Sequence, residues 1–280
     1  MKKGRMDEGM KTGYRYNVVD IHSHILPGVD DGSGDLRETM MLLREAEKEG
    51  IRDIIATPHY GIENGHAPKA GQIRPAFEQV LAAQREESEG LNGLRLYLGE
   101  EVYCSSDVAE RIRRGEALSM NGTRFVMVEF FEDEARSEGG KKILEQLEKL
   151  AKSQAVKPIL AHAERYRALR GNRDCLKRIQ DLGVLIQVNA YDLALNHHRL
   201  TRETAQWLAE ERMISFIGSD MHGMPPKRQP RMREGIDWLY EHTDEEYADR
   251  VVRKNAETLL GIRKYDPREE ELKAPGGAER

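Results

Sequence analysis

The sequence contains few of the residues that several common protein classes require. Only two cysteines occur among 280 residues, Cys104 and Cys175, which argues against a disulfide framework and fits a reducing compartment. No apolar run approaches the roughly 20 residues that cross a bilayer. The charged N-terminal segment also lacks the apolar stretch of a signal peptide. We therefore expect a cytoplasmic protein without a membrane span.

The chain also has no concentration of charge of one sign. Lys and Arg number 44 and Asp and Glu 49, which gives a formal net charge of -5, and the two signs are interspersed. Nucleic-acid-binding proteins usually present a basic stripe or tract. We therefore expect no nucleic-acid partner, although a local basic patch could still bind a phosphate or an acidic lipid.

Three familiar catalytic motifs are missing. A cysteine-based phosphatase needs an arginine six residues after its cysteine, but Glu110 follows Cys104 at that spacing and Asp181 follows Cys175. That mechanism is excluded. Neither the G-x-x-x-x-G-K-[ST] phosphate loop nor the G-x-S-x-G elbow of serine hydrolases occurs.

Short runs of β-branched and apolar residues alternate with helical patterns. The predicted strands are Asn17–Ile21, Arg52–Ala56, Leu94–Gly99, Arg124–Glu129, Pro158–Ala161, Val184–Val188 and Ile214–Gly218. The predicted helices are Asp35–Glu49, Ile73–Glu87, Lys141–Ala151, Arg173–Leu182, Thr201–Glu210 and Asp244–Leu260, with Asn172 and Thr201 as N-caps and Gly183 and Gly261 as C-caps. Strands that alternate with helices are parallel and joined by crossovers. The pattern predicts a single-domain α/β protein with a closed or nearly closed (β/α) barrel.

The two ends of the chain depart from this pattern. Residues 1–16 are charged and lack an apolar period, which predicts a flexible extension. Residues 264–280 are also charged and contain proline and glycine, which is typical of disorder. Residues 17–263 remain as the folded domain.

Histidines and carboxylates stand where the first and last predicted strands end. His22 and His24 lie in VVDIHSH, and Asp220 and His222 lie in FIGSDMH. Residues i and i+2 of a strand point to the same side, so each pair can hold one ion. Gly218 before the second pair allows a close backbone approach. An H-x-H motif alone is weak, because two exposed histidines on an edge strand give the same pattern, but the apolar run before it argues against that alternative.

Other strand ends carry similar residues, each with a simpler alternative. His59 in ATPH could be a loop histidine, and His162 in ILAH could be a core histidine with satisfied hydrogen bonds. Glu129 ends the run FVMVE, where burial without a partner or metal would be costly unless the carboxylate reaches solvent. In LYLGEE, the alternation of strand residues does not decide between Glu100 and Glu101.

The loop PGVDDGSG after the first strand adds Asp30 and Asp31. An ordinary Asp/Gly turn is the favoured interpretation for Asp30. Arg165, three residues beyond His162, could clamp an anionic substrate or be a surface arginine.

The C-terminal ends of parallel barrel strands meet at one mouth. Imidazoles and carboxylates gathered there predict a cluster of divalent metals and hydrolytic chemistry.

Taken together, the motifs resemble those of a known family. DIHSHILPGVDDGS, ATPH, GEEVY, FVMVEF, LAHAERY and GSDMH are similar to the motif set of the polymerase-and-histidinol-phosphatase (PHP) superfamily. More narrowly, they resemble the metal-dependent bacterial protein-tyrosine phosphatases of capsule and exopolysaccharide gene clusters. The similarity extends from about Asp20 to about Gly261. It implies a distorted (β/α)7 TIM-like barrel that holds three divalent metals, often manganese, with iron, zinc or magnesium as alternatives.

The resemblance also implies which residues bind metal and substrate. One ion would take His22, His24, Glu101 and Asp220, a second would share Glu101 and add Glu129 and His162, and a third would take Asp31, His59 and His222. Arg165 matches the family's phosphate-binding arginine. Arg228 is the nearest match to a second substrate arginine but is out of register. Asp31 and His59 join Arg165 as expected catalytic residues.

The implied reaction is hydrolysis of phosphotyrosine on a protein by a metal-bridging hydroxide, without a phosphoenzyme. The expected substrate is a bacterial tyrosine autokinase that controls polysaccharide export. Tyr60 or Tyr103 would line a shallow mouth that suits phosphotyrosine. A small-molecule phosphatase, such as histidinol-phosphate phosphatase, is the alternative enzyme. A metal-binding accessory protein without catalysis is the alternative from another class.

Overall fold

Parallel strands form the centre of the fold. The computed structural model describes residues 17–61, 70–87, 91, 93–131 and 140–262, so the expectations for residues 1–16 and 264–280 lie outside the described residues. The strands are β1 (Val18–Ser23), β2 (Ile51–Ala56), β3 (His59–Tyr60), β4 (Arg95–Leu98), β5 (Glu101–Tyr103), β6 (Phe125–Glu129), β7 (Lys157–Leu160), β8 (Leu185–Asn189) and β9 (Phe216–Gly218). Their order is β1-β2-β4 in one sheet and β3-β5-β6-β7-β8-β9 in the other. Every pairing is parallel.

Two short strands were not predicted. β3 follows β2 after Thr57 and Pro58, and β5 follows β4 after Gly99 and Glu100. The amide of Gly99 still donates to the carbonyl of Ala56 at 2.8 Å, so the two chains remain side by side through the break. Each of the seven predicted runs coincides with one strand to within two residues at each end. The two additional strands therefore continue the directions of β2 and β4 towards the C-terminal edge.

The first and last strands approach one another at their C-terminal ends. A parallel bridge pairs Ser23 with Met221. The amide of Asp220 donates to the carbonyl of His22 at 2.8 Å. A Cβ atom on Gly218 would lie 2.6 Å from the Cβ of His22, so only glycine allows this contact. The close approach predicted at Gly218 is confirmed.

Helices connect most of the strands. They are Leu36–Lys48, Ala70–Glu86, Val108–Arg114, Lys141–Lys152, Arg173–Asp181, Ala190–Ala194, Arg199–Glu210, Arg233–His242, Glu245–Asp249 and Asn255–Leu260, with 3₁₀ turns at Met120–Gly122 and Ala163–Arg165 and a π-helical turn at Arg250–Lys254. Within the ranges that the structure describes, none of the helices combines the length and the apolar composition needed to cross a membrane.

Two helix boundaries test the capping predictions. Asn172 is an N-cap whose side chain accepts a hydrogen bond from the amide of Cys175 at 3.3 Å, as predicted. The prediction for Thr201 is wrong. His198 is the N-cap instead, because its Nδ1 accepts from the amide of Thr201 at 3.3 Å and the helix begins before Thr201. A histidine ring can satisfy the same amide that a serine or threonine hydroxyl would satisfy.

The strands are apolar on both faces, as the continuous runs predicted. One face packs against the surrounding helices in a large buried cluster. The opposite face contributes to a smaller cluster that contains Val19, Ile21, Ile55, Met127, Ile159, Leu185 and Phe216, together with Met120 and Leu259 from outside the strands. Polar side chains are thereby confined mainly to the strand ends, where the candidate site lies.

Candidate metal centre

The structure brings all nine predicted ligand residues together at the C-terminal ends of the strands. Four overlapping groups each have potential ligand atoms within 4.8 Å of one another. These groups are His24 with Asp31, His59 and His222; His22 with His24 and Asp220; His22 with Glu101 and His162; and His59 with Glu101 and Glu129. Because the groups share residues, they form one continuous cluster. The assignment of residues to individual ions stays a prediction.

Glu101 lies at the middle of this cluster. Its Oε2 is 3.1 Å from Nε2 of His22, 3.3 Å from Nε2 of His24 and 3.2 Å from Nδ1 of His59. Its Oε1 is 2.9 Å from Nε2 of His162. Among the described residues, none of these nitrogens is oriented to donate a hydrogen bond to the carboxylate, which is 1 % exposed. Burial alone would raise the pKa of Glu101, but the charge of His22 and the neighbouring imidazoles hold it well below its ordinary value. The carboxylate is therefore anionic, and a bound cation would satisfy both of its oxygens.

Glu100 points away from the cluster. Its Oε2 accepts a hydrogen bond from the amide of Leu118 at 2.7 Å. Burial raises the pKa of Glu100 to about 8. Since consecutive residues of an extended chain point to opposite faces, Glu101 is left facing the histidines. The structure therefore orients the pair as the family resemblance implied.

The two histidines of the HSH motif are held by hydrogen bonds to their Nδ1 atoms. Nδ1 of His22 is 3.1 Å from Oε1 of Gln187. Nδ1 of His24 is 2.8 Å from Oδ2 of Asp30. Both partners are acceptors, so in the neutral imidazoles that bind a metal the proton lies on Nδ1 and the lone pair on Nε2. The two Nε2 atoms are only 3.2 Å apart. Two converging lone pairs, with Oδ1 of Asp220 3.6 Å from each nitrogen, fit a divalent cation.

Asp30 contributes to the site, so the interpretation as an ordinary turn residue was incomplete. Its buried carboxylate also accepts hydrogen bonds from the amides of Gly32 at 3.0 Å and His59 at 3.1 Å. Burial alone would raise the pKa of Asp30, but the charge and hydrogen bond of His24 hold it below its ordinary value. A Cβ on Gly32 would lie 2.2 Å from the carbonyl oxygen of His24, so the turn must pack closely against this histidine. Asp30 thus joins the loop to two predicted ligands.

Two amide side chains on β8 were not identified from the sequence. Oε1 of Gln187 accepts from the amide of His162 at 2.7 Å as well as from His22. Its Nε2 donates to Oδ1 of Asn189 at 2.9 Å, and Nδ2 of Asn189 donates to Oδ2 of Asp220 at 2.8 Å. Gln187 and Asn189 are i and i+2 in the otherwise apolar run LIQVN. That spacing was the signal that could have revealed them.

Two of the predicted ligands have unusual backbone conformations. His162 has φ of 32° and Asp220 has φ of 52°, in the left-handed region that favours glycine. Such conformations cost about 1–3 kcal/mol each and persist where the surrounding structure requires them. Each residue lies two positions after a strand ends. The strain is therefore located where the chain turns its ligand-type side chains towards the cluster.

His59 and His222 form the outer side of the cluster with Asp31. Their Nε2 atoms lie 3.4 Å and 3.5 Å from Oδ1 of Asp31, whose side chain is 56 % exposed. Burial would lower the pKa of His59, but Asp31 and Glu129 raise it to about 12. Burial and the charge of His24 lower the pKa of His222 to about 3. The two imidazoles facing one carboxylate therefore have different proton affinities.

A cavity of about 490 Å³ opens above the cluster. It is lined by His59, Glu101, Phe130, His162, Arg165, Tyr166, Arg167, Arg170, Asp220, His222 and Arg228. Arg165 donates from Nε and Nη2 to the buried carboxylate of Asp192, at 2.6 Å and 3.2 Å. Its Nη1 lies 3.7 Å from Oδ2 of Asp220. Arg228 donates to the carbonyl of Asp220 at 2.8 Å and pairs with its carboxylate. Both predicted substrate arginines therefore lie on the cavity wall.

The aromatic residues of this cavity differ from those expected. Tyr60 and Tyr103 line a separate cavity of about 390 Å³, together with Phe131. The cavity above the cluster has Phe130 and Tyr166 instead, with ring centroids 6.0 Å apart in an edge-to-face arrangement. The hydroxyl of Tyr166 accepts from the amide of Phe130 at 3.2 Å, which fixes the two residues together. This pair supplies the aromatic wall.

The sequence is similar to known proteins over most of its length. The family model described as capsular polysaccharide synthesis, CpsB/CapC, matches residues 18–261. The tyrosine-protein phosphatase YwqE of Bacillus subtilis is 31% identical over 208 residues, which are 74% of this chain and 78% of YwqE. The tyrosine-protein phosphatase CpsB of Streptococcus agalactiae is 28% identical over 248 residues, which are 87% of this chain and 98% of CpsB.

Solved structures extend the comparison to the fold. A chain from the crystal structures of YwqE from Bacillus subtilis and CpsB from Streptococcus pneumoniae, described as unique metal-dependent tyrosine phosphatases, superposes with a TM-score of 0.76 at 28% identity and covers 89% of this chain and 96% of that chain. The phosphotriesterase of Mycobacterium tuberculosis shares only the fold, with a TM-score of 0.56, 12% identity and coverage of 87% and 94%. Because the family model spans residues 18–261 and YwqE exceeds 30% identity, the chain belongs to the CpsB/CapC family of capsular polysaccharide synthesis.

Proposed function

We propose that this protein is a metal-dependent protein-tyrosine phosphatase that does not use a cysteine. The observation that carries the proposal is the Glu101 carboxylate, buried among four imidazoles and without hydrogen bonds among the described residues. The arginine-lined cavity above it suits a phosphate ester. Relatives named tyrosine-protein phosphatases support the choice of phosphotyrosine.

The proposal includes three divalent cations, with manganese as the first choice and iron, zinc or magnesium as alternatives. The proposed sets are His22, His24, Glu101 and Asp220 for one ion, Glu101, Glu129 and His162 for the second, and Asp31, His59 and His222 for the third. The mixed imidazole and carboxylate donors suit such cations. When bound, divalent ions would lower the pKa of a coordinated water and polarise phosphate oxygens.

The arginines and aromatic residues would orient the substrate. Asp192 engages Nε and Nη2 of Arg165, which leaves Nη1 directed towards the cavity floor. Arg228 adds a second guanidinium beside Asp220. Phosphoryl transfer has a loose transition state, so fixed positive charges around the phosphate contribute mainly by positioning and charge neutralisation. The wall formed by Phe130 and Tyr166 would contact the phenyl ring.

Asp31 and His59 complete the proposed catalytic residues. They lie at the outer side of the cluster, with Oδ1 of Asp31 3.4 Å from Nε2 of His59. His59 is also 2.7 Å from Glu129 through Nδ1. Both ring nitrogens of His59 therefore face carboxylates, and the ring would hold its orientation while substrate enters.

The finer architecture and the biological setting are also proposals. If β2 with β3 and β4 with β5 are each counted as one interrupted strand, seven strand positions result. The contacts between β1 and β9 then support a distorted (β/α)7 barrel. We assign the protein to the cytoplasm. Its two cysteines are not joined by a disulfide, and this supports a reducing compartment. Membership of a capsule-synthesis family supports a tyrosine autokinase of polysaccharide export as the phosphoprotein substrate.

The test is a phosphatase assay of the purified full chain with Mn²⁺ and with EDTA. A phosphotyrosine peptide is compared with histidinol phosphate, and His22→Ala with His197→Ala, since His197 is exposed and outside the cluster. We expect metal-dependent turnover of the peptide. Removing a hydrogen-bond partner of a metal ligand typically lowers activity by about 10- to 100-fold. His22→Ala removes a proposed ligand itself and should lower activity by at least this factor, while His197→Ala retains activity.

Each other result identifies an alternative. Preference for histidinol phosphate would assign the chain to small-molecule hydrolysis. Bound metal without turnover of either compound would favour a non-catalytic accessory protein. Full activity of His22→Ala with unchanged metal content would refute the metal assignment.

A further inference from the structure

Of the four arginines that line the cavity above the cluster, two form ion pairs with carboxylates, and a second pair of arginines does not among the described residues. Arg165 is paired with Asp192, and Arg228 is paired with Asp220. Arg167 and Arg170 also line the cavity, but neither forms an ion pair with a carboxylate among the residues that the structure describes. The cavity thus carries two cations that form no close ion pair with a carboxylate of the described chain.

Arg167 is the more accessible member of this second pair. It is exposed, and in the described part of the chain it makes neither a hydrogen bond nor an ion pair. The neighbouring residues Tyr166 and Leu169 are buried, at 5 % and 0 % exposure. Amides of Leu169 and Arg170 both donate to the carbonyl of Tyr166, at 2.9 Å and 3.0 Å. Arg167 therefore projects from a well-anchored turn.

Arg170 lies deeper and is held in place. Its Nη2 donates to the carbonyl of Arg165 at 2.8 Å, and its Nη1 is 3.4 Å from Nε2 of His198. Its Nε is buried without a hydrogen-bond partner within the described ranges. Burial and the charges of Arg165 and Arg167 lower the pKa of the Arg170 guanidinium, and the carboxylates of Asp192 and Glu164 offset this only in part. An anion bound beside Arg167 and Arg170 would offset this like-charge repulsion.

We propose that Arg167 and Arg170 form a second anion subsite, which takes a further anionic group of a phosphorylated peptide beside the phosphotyrosine at the metal centre. This inference rests on the proposed function. The group is a carboxylate or another phosphate monoester, because a guanidinium binds both through the same planar N–H pairs. The subsite would make the enzyme select phosphotyrosines that lie close to other acidic groups.

The test uses three fluorescent phosphotyrosine peptides of equal length. Their flanking residues are alanine, glutamate or a second phosphotyrosine, and kcat/KM per phosphotyrosine is measured for each with the metal-loaded full chain. We expect the two acidic peptides to exceed the alanine peptide by about 2- to 5-fold, as for partly exposed ion pairs. The preference should weaken at about 300 mM salt, where exposed charges are screened.

Substitutions then locate the subsite. Arg167→Gln should bring the ratio of acidic to neutral peptide close to one, and Arg167→Glu should invert it. Arg178→Gln removes an exposed arginine outside the cavity and should leave the ratio unchanged. Preference for glutamate alone or for phosphotyrosine alone would support the subsite and identify which anion it takes. Equal kcat/KM for all three peptides, or a ratio that neither Arg167 variant alters, would overturn the proposal.

Binding of the same peptides, measured by fluorescence anisotropy, separates this inference from the proposed function. If no peptide is hydrolysed in the presence of metal, the proposed function fails. Tighter binding of the acidic peptides that Arg167→Glu abolishes would still support the anion subsite. Equal binding of all three peptides would overturn it.

Discussion

Replacement of Gln187 by leucine should weaken metal binding without replacing any of the proposed metal ligands. Oε1 of Gln187 accepts hydrogen bonds from Nδ1 of His22 and from the amide of His162, at 3.1 Å and 2.7 Å. Leucine fills a similar volume but accepts neither bond. The imidazole of His22 would then be free to carry its proton on Nε2, which is the nitrogen that faces the cluster.

Two effects of this change can be estimated separately. Each buried N–H group left without a partner costs about 1–3 kcal/mol, so the free energy of unfolding should fall by about 2–6 kcal/mol for the two groups. Loss of the hydrogen bond that orients a metal-binding histidine typically weakens metal affinity by about 10- to 100-fold. Gln187→Glu retains an acceptor at the same place and should preserve affinity better than leucine does.

Calorimetric titration with Mn²⁺ and urea denaturation of the metal-free protein measure these quantities. Gln206→Leu is the matched control, because it loses a 2.9 Å hydrogen bond from Nε2 to the carbonyl of Leu193, outside the cluster. The control should lose stability but keep its metal affinity. If Gln187→Leu bound Mn²⁺ as tightly as the unsubstituted protein, the orienting role of Gln187 would be refuted and only its packing would remain.

Three further changes test other parts of the site. Mn²⁺ at about 100 times its Kd should stabilise the protein by about 2.7 kcal/mol, which is measured as a higher Tm, and His22→Ala should remove most of this increase in Tm. An equal increase in both proteins would mean that the metal binds elsewhere. Arg165→Ala should raise KM for phosphotyrosine, and an unchanged KM in steady-state kinetics would leave Arg165 only a structural role. The same substitution should lower the free energy of unfolding by about 3–5 kcal/mol, because the buried carboxylate of Asp192 loses its ion pair. Gly218→Ala should cost about 1–3 kcal/mol in urea denaturation because its Cβ would collide with His22, and unchanged stability would contradict the close contact.

The strands and the gathering of the predicted ligands could be inferred from the sequence because both depend on local patterns. Apolar runs of four to six residues define the longer strands, and parallel strands necessarily direct their C-terminal ends to one side. The two-residue strand His59–Tyr60 could not be predicted, because it is too short to show an alternation. Its pairing with β5 depends on a break at Pro58 that only the folded chain reveals.

The residues that orient the ligands were harder to predict. Asp30 and Asp31 are adjacent and chemically identical, and an Asp/Gly turn accommodates either of them. Only the fold places Asp30 beneath His24 and leaves Asp31 largely exposed. Gln187 has the same difficulty, since a glutamine in an apolar strand gives no indication of which distant histidine it contacts. Long-range partners of this kind are determined by packing and not by periodicity.

The contact between the first and last strands links the proposed metal centre to folding. Asp20 accepts hydrogen bonds from the amide and the hydroxyl of Ser219, at 2.9 Å and 2.6 Å, across 199 positions of the sequence. His22 and Asp220 flank this contact. During synthesis, most of the ligand-type residues are therefore made long before Asp220 and His222. The complete cluster can form only after the first and last strands of the domain have come into contact. Closing so large a loop has an entropic cost, which a cation bound at both ends would offset in the native state alone.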